Sequence, residues 1–286
     1  MKKYIVSIVL LLCLVIVSGC HSNNKKILTE SSTNQTTGSF ETSDKSDVPT
    51  LFIHGYSGTV NSFGGMISRF ENQQLAHKEM IITVQSDGTL QIDGKLSHVK
   101  NNPMIQVLFA DNKSNEWNQT EWIYTVLKYL NSQKIEQVNI VGHSMGGVSS
   151  FRFLTTYGEP EDSPKIVKLI AIGSPLNDFI DTSDQQDIDD LLLNGPTQKS
   201  DRYNDYGNGI ANIPASLPIL LLAGKLDSST SNDGTVPLTS ALSIYSLVKK
   251  NGNSIKQVVF TGPDAQHSRL RENKAVDQQI NQFLWK

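Results

Sequence analysis

The segment "VNIVGHSMGG", residues 138–147, constrains the fold of this chain more than any other stretch. An apolar run leads into Ser144, and a helical pattern over about residues 145–157 follows it. Residues 142–146 match G-x-S-x-G, a pattern that places a serine on a tight turn between a strand and a helix. Glycines are needed there because larger side chains would collide with the helix or the preceding strand. We therefore predict an exposed nucleophilic hydroxyl at the carboxyl edge of a sheet, with a glycine-rich packing turn as the alternative.

Apolar runs and helical patterns alternate over residues 48–286. Predicted strands lie in PTLFIHG, MIQVLFAD, QVNIVG, IVKLIAIGSP, LPILLLAG and IKQVVFTG, and predicted helices cover residues 116–133, 145–157, about 238–250 and the C-terminus. The strands are continuously apolar and do not alternate with polar residues, as expected for strands that are buried on both faces. The pattern predicts an α/β fold with a mostly parallel, doubly wound sheet and helices on both faces.

Two segments interrupt this alternation. Residues 176–216 are acidic and rich in tyrosine and stand between two core strands, so we expect a cap-like or lid-like insertion there. The spacing of its aspartates does not match a calcium-binding loop, and we expect a solvated surface. A hairpin-like segment with an Asp-Gly turn, over about residues 80–98, indicates a decorated sheet edge whose role the sequence does not reveal.

The loop after the first strand, "LFIHGYSGT", resembles the oxyanion loop of lipases and esterases. We expect the backbone amides of Tyr56 and Met145 to form an oxyanion hole, in which each donor contributes about 2.7–4 kcal/mol to transition-state stabilisation. His54 and Gly55 are predicted to support this loop by hydrogen bonding and close packing, without taking part in proton transfer.

A carboxylate and a histidine follow the serine in the order that the strand–serine–helix turn requires. Asp233, in "NDGTVP", resembles the acid motif of many bacterial lipases, and Asp227, nearer the end of the preceding strand, is the alternative. His267 follows the last strand and is the predicted base, because the remaining histidines lie in or before the turn, at positions 21, 54, 77, 98 and 143. Ser144, Asp233 and His267 are thus the candidate catalytic residues.

The first 20 residues, "MKKYIVSIVLLLCLVIVSGC", have two lysines, an apolar run and small residues before a cysteine. This arrangement is typical of an export signal, and the apolar run is short for the alternative, a transmembrane anchor. "VSGC" also resembles a bacterial lipobox, which predicts a signal peptide over residues 1–19 and lipidation of Cys20. Residues 20–47 are polar and rich in Ser, Thr and Asn, and predict a flexible tether to the hydrolase-like domain of residues 48–286.

Composition excludes several classes of function. The isoelectric point near 6.1 and the net charge of −3 give no indication of nucleic-acid binding. The two cysteines lie in the signal and at the predicted lipidation site, so the mature domain has no thiol for a disulfide, a metal site or a nucleophile. The sequence gives no indication of oligomeric state.

The motifs together resemble those of an α/β-hydrolase. The similarity is greatest to a group of exported cell-surface hydrolases of unknown function from low-GC Gram-positive bacteria, related to lipases, and it rests on "PTLFIHGYSGT", "VNIVGHSMGG", "IGSPLND", "NDGTVPLTSA" and "QHSRLREN". The resemblance implies hydrolysis of a small-molecule or lipid ester, with no cofactor or metal, at the outer face of the membrane. An acyltransferase or thioesterase with the same residues, and a binding lipoprotein without turnover, are the alternatives.

Overall fold

The computed structural model describes residues 45–286, which contain nine strands and eight α-helices. The strands are β1 (Thr50–Ile53), β2 (His77–Val84), β3 (Leu90–Gly94), β4 (Pro103–Phe109), β5 (Gln137–His143), β6 (Lys165–Ile172), β7 (Leu176–Phe179), β8 (Ile219–Lys225) and β9 (Ile255–Thr261). The helices are α1 (Asn61–Asn72), α2 (Glu116–Ser132), α3 (Met145–Tyr157), α4 (Ile188–Asn194), α5 (Asp201–Gly209), α6 (Leu238–Ala241), α7 (Tyr245–Lys250) and α8 (Lys274–Trp285).

Eight of these strands form one sheet in the order β3-β2-β4-β1-β5-β6-β8-β9. All neighbouring strands are parallel except β2 and β3, which form an antiparallel hairpin at one edge. The other edge is β9, which pairs with β8 alone. The predicted mostly parallel sheet is therefore confirmed, and the segment over residues 80–98 contributes an edge strand to it.

Central strands of the sheet, such as β1, β4 and β8, are buried on both faces, as the continuously apolar runs predict. Leu51 and Ile53 of β1 point into a cluster with α2 and α3, whereas Phe52 between them points to the opposite face. That opposite face packs against α1 and α8 through a second cluster, which includes Phe63, Phe70, Ile280 and Leu284. Alternate residues of one strand thus bury apolar surface in two separate cores.

Two helical segments differ from the sequence prediction. Helix α1 was not predicted, although its buried residues Phe63, Met66, Ile67 and Phe70 have the spacing of an amphipathic helix. The single helix predicted over about residues 238–250 is wrong, because the segment forms two short helices, α6 and α7. Buried apolar residues continue through the break, so their pattern carried no signal of it.

The insertion predicted over residues 176–216 lies between β6 and β8 and contains β7, α4, α5 and a short 3₁₀ turn. Its core is more apolar than the sequence suggested, because Leu176, Leu191, Tyr203 and Tyr206 are all buried. Tyr206 packs edge-on against Phe151 of α3, with the ring centroids 4.8 Å apart. The insertion is therefore packed against the helix that follows Ser144.

The predicted signal peptide, Cys20 and residues 20–44 of the predicted tether lie outside the described residues. The described part begins beside β4, where Ser46 and Asn102 exchange two hydrogen bonds. Within residues 45–286, no helix has both the length and the apolar character needed to cross a membrane.

Candidate active site

Ser144 occupies the turn between β5 and α3 with φ 54° and ψ −125°, a backbone conformation that residues other than glycine rarely adopt. The turn is closed by near contacts between backbones. A Cβ on Gly142 would lie 2.5 Å from the amide nitrogen of Gly147, and a Cβ on Gly146 would overlap the carbonyl oxygen of Ile53. The glycines around Ser144 are thus required by space, and the strained backbone directs the serine away from the core at the carboxyl edge of the sheet.

The structure brings the three candidate catalytic side chains into one series of hydrogen bonds. Nε2 of His267 lies 3.0 Å from Oγ of Ser144, and Nδ1 of His267 lies 2.7 Å from Oδ2 of Asp233. Both His267 and Asp233 are buried, with exposed fractions of 8% and 1%. A carboxylate only accepts hydrogen bonds, so Nδ1 carries the proton and Nε2 is left to accept from the serine hydroxyl. This arrangement can transfer the hydroxyl proton to the imidazole.

Asp233 is held by several backbone groups. Its Oδ1 accepts hydrogen bonds from the amides of Thr235 (3.0 Å) and Val236 (2.7 Å), and its carbonyl accepts from the amide of His267 (2.8 Å). The alternative acid, Asp227, is exposed and accepts hydrogen bonds from Ser229 and Thr230 within its own loop. The geometry therefore favours Asp233 as the partner of His267.

The loop that carries Tyr56 packs directly against the serine turn. A Cβ on Gly55 would lie 2.7 Å from Cβ of Ser144 and 3.3 Å from the amide nitrogen of Met145. Among the described residues, the amides of Tyr56 and Met145 donate no hydrogen bond to another group of the protein. Two unused donors therefore lie on neighbouring segments beside the hydroxyl, as an oxyanion hole requires.

His54 lies under this loop and is separate from the Ser144–His267 pair. Its Nε2 accepts a hydrogen bond from the amide of Phe109 (3.1 Å), so the proton is on Nδ1, which donates to the carbonyl of Gly55 (2.7 Å). Burial lowers the pKa of His54, which keeps the ring neutral. The side chain thus links the end of β4 to the loop after β1.

His143 contributes a contact that the sequence did not indicate. Its buried ring packs against the ring of His267, with centroids 4.7 Å apart, and its Nε2 donates to the backbone carbonyl of His267 at 3.0 Å. Burial, followed by the charges of His267 and Arg271, lowers the pKa of His143 well below its usual value. A neutral His143 thus holds the backbone of the base from 124 residues away, and no local pattern signals such a contact.

A cleft of about 410 Å³ opens onto the hydroxyl, a volume within the usual range for small-molecule sites. Most of its walls are apolar, and the insertion supplies one side. The lining residues are Tyr56, Ser144, Met145, Val148, Pro175, Phe179, Arg202, Thr235 and His267. Other cavities of similar volume, such as one of about 340 Å³ beside Val48 and Gln137, lie away from Ser144.

Within residues 45–286, no group of three or more histidine, cysteine, aspartate or glutamate side chains is arranged to hold a metal ion.

A sequence model of one protein family matches residues 38–286, and its description is "Alpha/beta hydrolase of unknown function (DUF915)". The chain belongs to this family. The family membership and the eight-stranded sheet together confirm the predicted α/β-hydrolase fold. Among curated proteins, none has a matching sequence.

Solved structures from Listeria innocua and Lactobacillus plantarum are similar to this DUF915 protein. The product of the lin2722 gene of Listeria innocua is 26% identical with a TM-score of 0.77, over 84% of this chain and 94% of that one. A protein provisionally described as a cell surface hydrolase from Lactobacillus plantarum is 26% identical with a TM-score of 0.67, over 83% of this chain and 91% of that one. These neighbours confirm the resemblance drawn from the motifs.

An esterase from Pyrococcus furiosus shares the fold at 15% identity, with a TM-score of 0.50 over 84% of this chain and 82% of that one.

Proposed function

We propose that this protein is an extracellular serine hydrolase that cleaves carboxylic esters through an acyl-enzyme, with Ser144, His267 and Asp233 as the catalytic residues. The observation that carries the proposal is the hydrogen-bonded series from Oγ of Ser144 through His267 to Asp233. The open cleft at Ser144 and the two unused amides beside it support the same chemistry.

The reaction begins when Nε2 of His267 takes the proton of Ser144 as Oγ attacks the ester carbonyl. The carbonyl oxygen becomes an oxyanion, which the amides of Tyr56 and Met145 stabilise. His267 then gives its proton to the leaving alcohol, and the acyl group stays on Ser144. Asp233 keeps the proton of the imidazole on Nδ1 and stabilises the imidazolium formed in each half of the cycle.

Hydrolysis of the acyl-enzyme repeats these steps with water. His267 removes a proton from a water molecule that attacks the acyl carbon. When the intermediate collapses, the bond from the acyl carbon to Oγ of Ser144 breaks, His267 returns its proton to Oγ, and the carboxylic acid leaves. Apart from the ester and one water molecule, no further reactant is needed to balance the two halves of the reaction.

The test combines covalent labelling and turnover. We expect a fluorophosphonate to label the wild-type protein and p-nitrophenyl esters of short to medium chain length to be cleaved. Ser144→Ala should abolish labelling, and both Ser144→Ala and His267→Ala should lose turnover by at least about 10³-fold. His77→Ala, which changes an exposed histidine far from the cleft, is the matched control and should retain wild-type rates. A folded wild-type protein that is neither labelled nor active would instead favour the binding lipoprotein.

We further propose that lipidation of Cys20 anchors the enzyme to the outer face of the cytoplasmic membrane. Cells fed an alkyne-bearing fatty acid should incorporate it into the wild-type protein and not into Cys20→Ala. The wild-type protein should be accessible to an added protease on intact cells stripped of their wall. Release of the wild-type protein into the medium in the same lipid-free form as Cys20→Ala would contradict the anchor.

A further inference from the structure

A buried cluster of charges lies behind one wall of the cleft, and the catalytic steps do not use it. At its centre is Glu116, the first residue of α2, whose exposed fraction is 7%. Oε1 of Glu116 pairs with Arg152 of α3, which lies two turns beyond Ser144, and Oε2 pairs with Arg202 of α5 in the insertion. One carboxylate thus joins the insertion to two helices of the core.

Four of the five N–H groups of Arg202 contact neighbouring oxygen atoms. Its Nε donates to Glu116 at 2.6 Å, its Nη1 donates to the carbonyl of Pro175 at 2.8 Å, and Nη1 also pairs with Asp178. A planar guanidinium with this many partners has one orientation. Because both neighbouring carboxylates offset its charge, Arg202 presents no free cation to a ligand in the cleft.

Arg202 itself lines the cleft, together with Pro175 and Phe179 of the same wall. Pro175 is bound through its carbonyl to Arg202, and Phe179 follows directly after Asp178, the other partner of Arg202. The side chain of Phe179 is 63% exposed and has few neighbours of its own to fix it. Arg202 thus holds this wall together with Ser240, whose Oγ accepts from the amide of Asn177 and donates to the carbonyl of Asp178. The orientation of Arg202 in turn depends on Glu116.

Arg152 keeps the carboxylate in place from the other side. It donates to Oε1 of Glu116 at 2.5 Å, its guanidinium lies 3.8 Å from the ring centre of Trp117, and it pairs with Asp205 at 3.1 Å. Asp205 is half-exposed and contacts neither Glu116 nor the cleft wall. The cluster therefore has an outer ion pair that can be removed without touching Arg202.

We infer that Glu116 is a positioning residue for substrate selectivity, which fixes the insertion wall through Arg202 so that the cleft binds the uncharged aliphatic acyl chain of an ester. This inference rests on the proposed function, since it names the substrate class of the same cleft. The wall is apolar and its one cation is neutralised, so a chain of several methylenes gains contacts there. We expect an acetyl group bound at Ser144, which has a single methyl group, to gain little from contacts with the wall.

The test compares p-nitrophenyl octanoate with p-nitrophenyl acetate in purified wild type and Glu116→Gln. We expect kcat/KM for octanoate to fall on the order of tenfold relative to that for acetate, mainly through KM, because small changes in an apolar pocket discriminate by this much. Asp205→Asn, which removes the outer ion pair, should keep the wild-type ratio. A role in stability alone would lower the melting temperature and leave the octanoate-to-acetate ratio unchanged, which would overturn the inference.

Glu116→Gln replaces the carboxylate that Arg152 and Arg202 share by a neutral amide, and this loss can prevent folding. Arg202→Met and Arg202→Lys therefore test the same step from the other side, with Glu116 still paired to Arg152. Both should shift selectivity away from octanoate, and lysine should have the smaller effect because it keeps the charge but not the forked geometry. Unchanged ratios in folded Arg202 variants would overturn the inference.

The labelling rates of Ser144 by ethyl and octyl fluorophosphonates separate this inference from the proposed function. If the wild type is labelled and cleaves esters but the variants keep its chain-length preference, the inference fails and the proposed function stands. If the wild type is inert to every ester and both probes, the two fail together. A larger decrease in the rate of labelling by the octyl probe than by the ethyl probe, in the variants relative to wild type, supports the inference.

Discussion

The backbone of Ser144 is strained, and this strain predicts an unusual ranking of two inactive variants. Its φ of 54° and ψ of −125° lie where glycine is comfortable and other residues are not. Ser144→Ala and Ser144→Gly both lose the hydroxyl and its hydrogen bond to His267. The difference between them therefore isolates the backbone, because only alanine keeps the Cβ that causes the strain.

The size of the difference follows from two opposing terms. A residue in such a conformation is destabilised by about 1–3 kcal/mol, which glycine relieves. Glycine also gives the unfolded chain more freedom, which costs about 0.4–1 kcal/mol relative to alanine. We expect Ser144→Gly to be more stable than Ser144→Ala by about 1 kcal/mol, which raises Tm by about 2–4 °C in a domain of this size.

The assay is thermal unfolding of both variants beside the same pair of substitutions at Thr156, an exposed position of α3 with ordinary helical geometry. At Thr156 glycine should be the less stable of the two by about 1 kcal/mol. The sign of the glycine–alanine difference should thus reverse between positions 144 and 156. If glycine melts below alanine at both positions, Ser144 is not strained and the reasoning is refuted.

Three further perturbations have defined outcomes. Asp233→Asn should lower kcat for ester hydrolysis by about 10³–10⁴-fold, because an amide does not hold the proton of His267 on Nδ1. Gly146→Ala should lower the free energy of unfolding in urea by about 1–3 kcal/mol, because its Cβ would overlap the carbonyl of Ile53. The pKa of buried His143 lies well below 6.5, so in acid the unfolded chain binds a proton at this residue that the folded chain does not bind. The contribution of His143 to the free energy of unfolding is therefore constant above pH 6.5, and that free energy falls as the pH is lowered below this value. His143→Gln should flatten this fall, measured by urea unfolding between pH 7.5 and 5.

Matched variants serve as controls for these three. Asp227→Asn changes the exposed alternative acid and should keep kcat within twofold, and a larger loss there than at Asp233 would reverse their assignment. Gly64→Ala adds a methyl group to a helix with nothing within 4 Å, so it should not destabilise, in contrast to Gly146. His98→Gln at an exposed histidine should leave the acid limb of the stability curve unchanged. Parallel curves for His143→Gln and wild type would show that His143 does not cause the slope.

Much of the fold could be predicted because strands that are buried on both faces of the sheet appear in the sequence as continuous apolar runs. Strand β8 is apolar from Ile219 to Gly224, and α3 begins at Met145, directly after the serine of the glycine pattern. The break between α6 and α7 could not be predicted, because buried apolar residues occur before, within and after it, at Leu238, Leu242 and Val248. The spacing of apolar residues indicates which positions are buried, but it does not indicate whether one continuous helix carries them.

The candidate site could be predicted only where its chemistry follows chain order. Ser144, an acid and His267 had to occur in that sequence, and a loop had to follow the first strand. Chain order did not decide between Asp233 and Asp227. They differ in that Asp233 is buried beside the imidazole of His267, whereas Asp227 is exposed. The contact of His143 with His267 and the pairing of Glu116 with two arginines join distant segments. Such contacts depend on tertiary packing, which no local pattern records.

The outermost position of β9 has a consequence for how the proposed activity would be lost. This strand hydrogen-bonds to the sheet on one side only, and the loop that follows it carries His267. Unpairing of β9 would free one end of this loop and leave His267 held by its contacts with His143 and Asp233, while the inner strands, with Ser144 among them, stay paired. Mild denaturant should therefore lower hydrolytic activity before the rest of the domain unfolds. Activity should return once β9 pairs with β8 again.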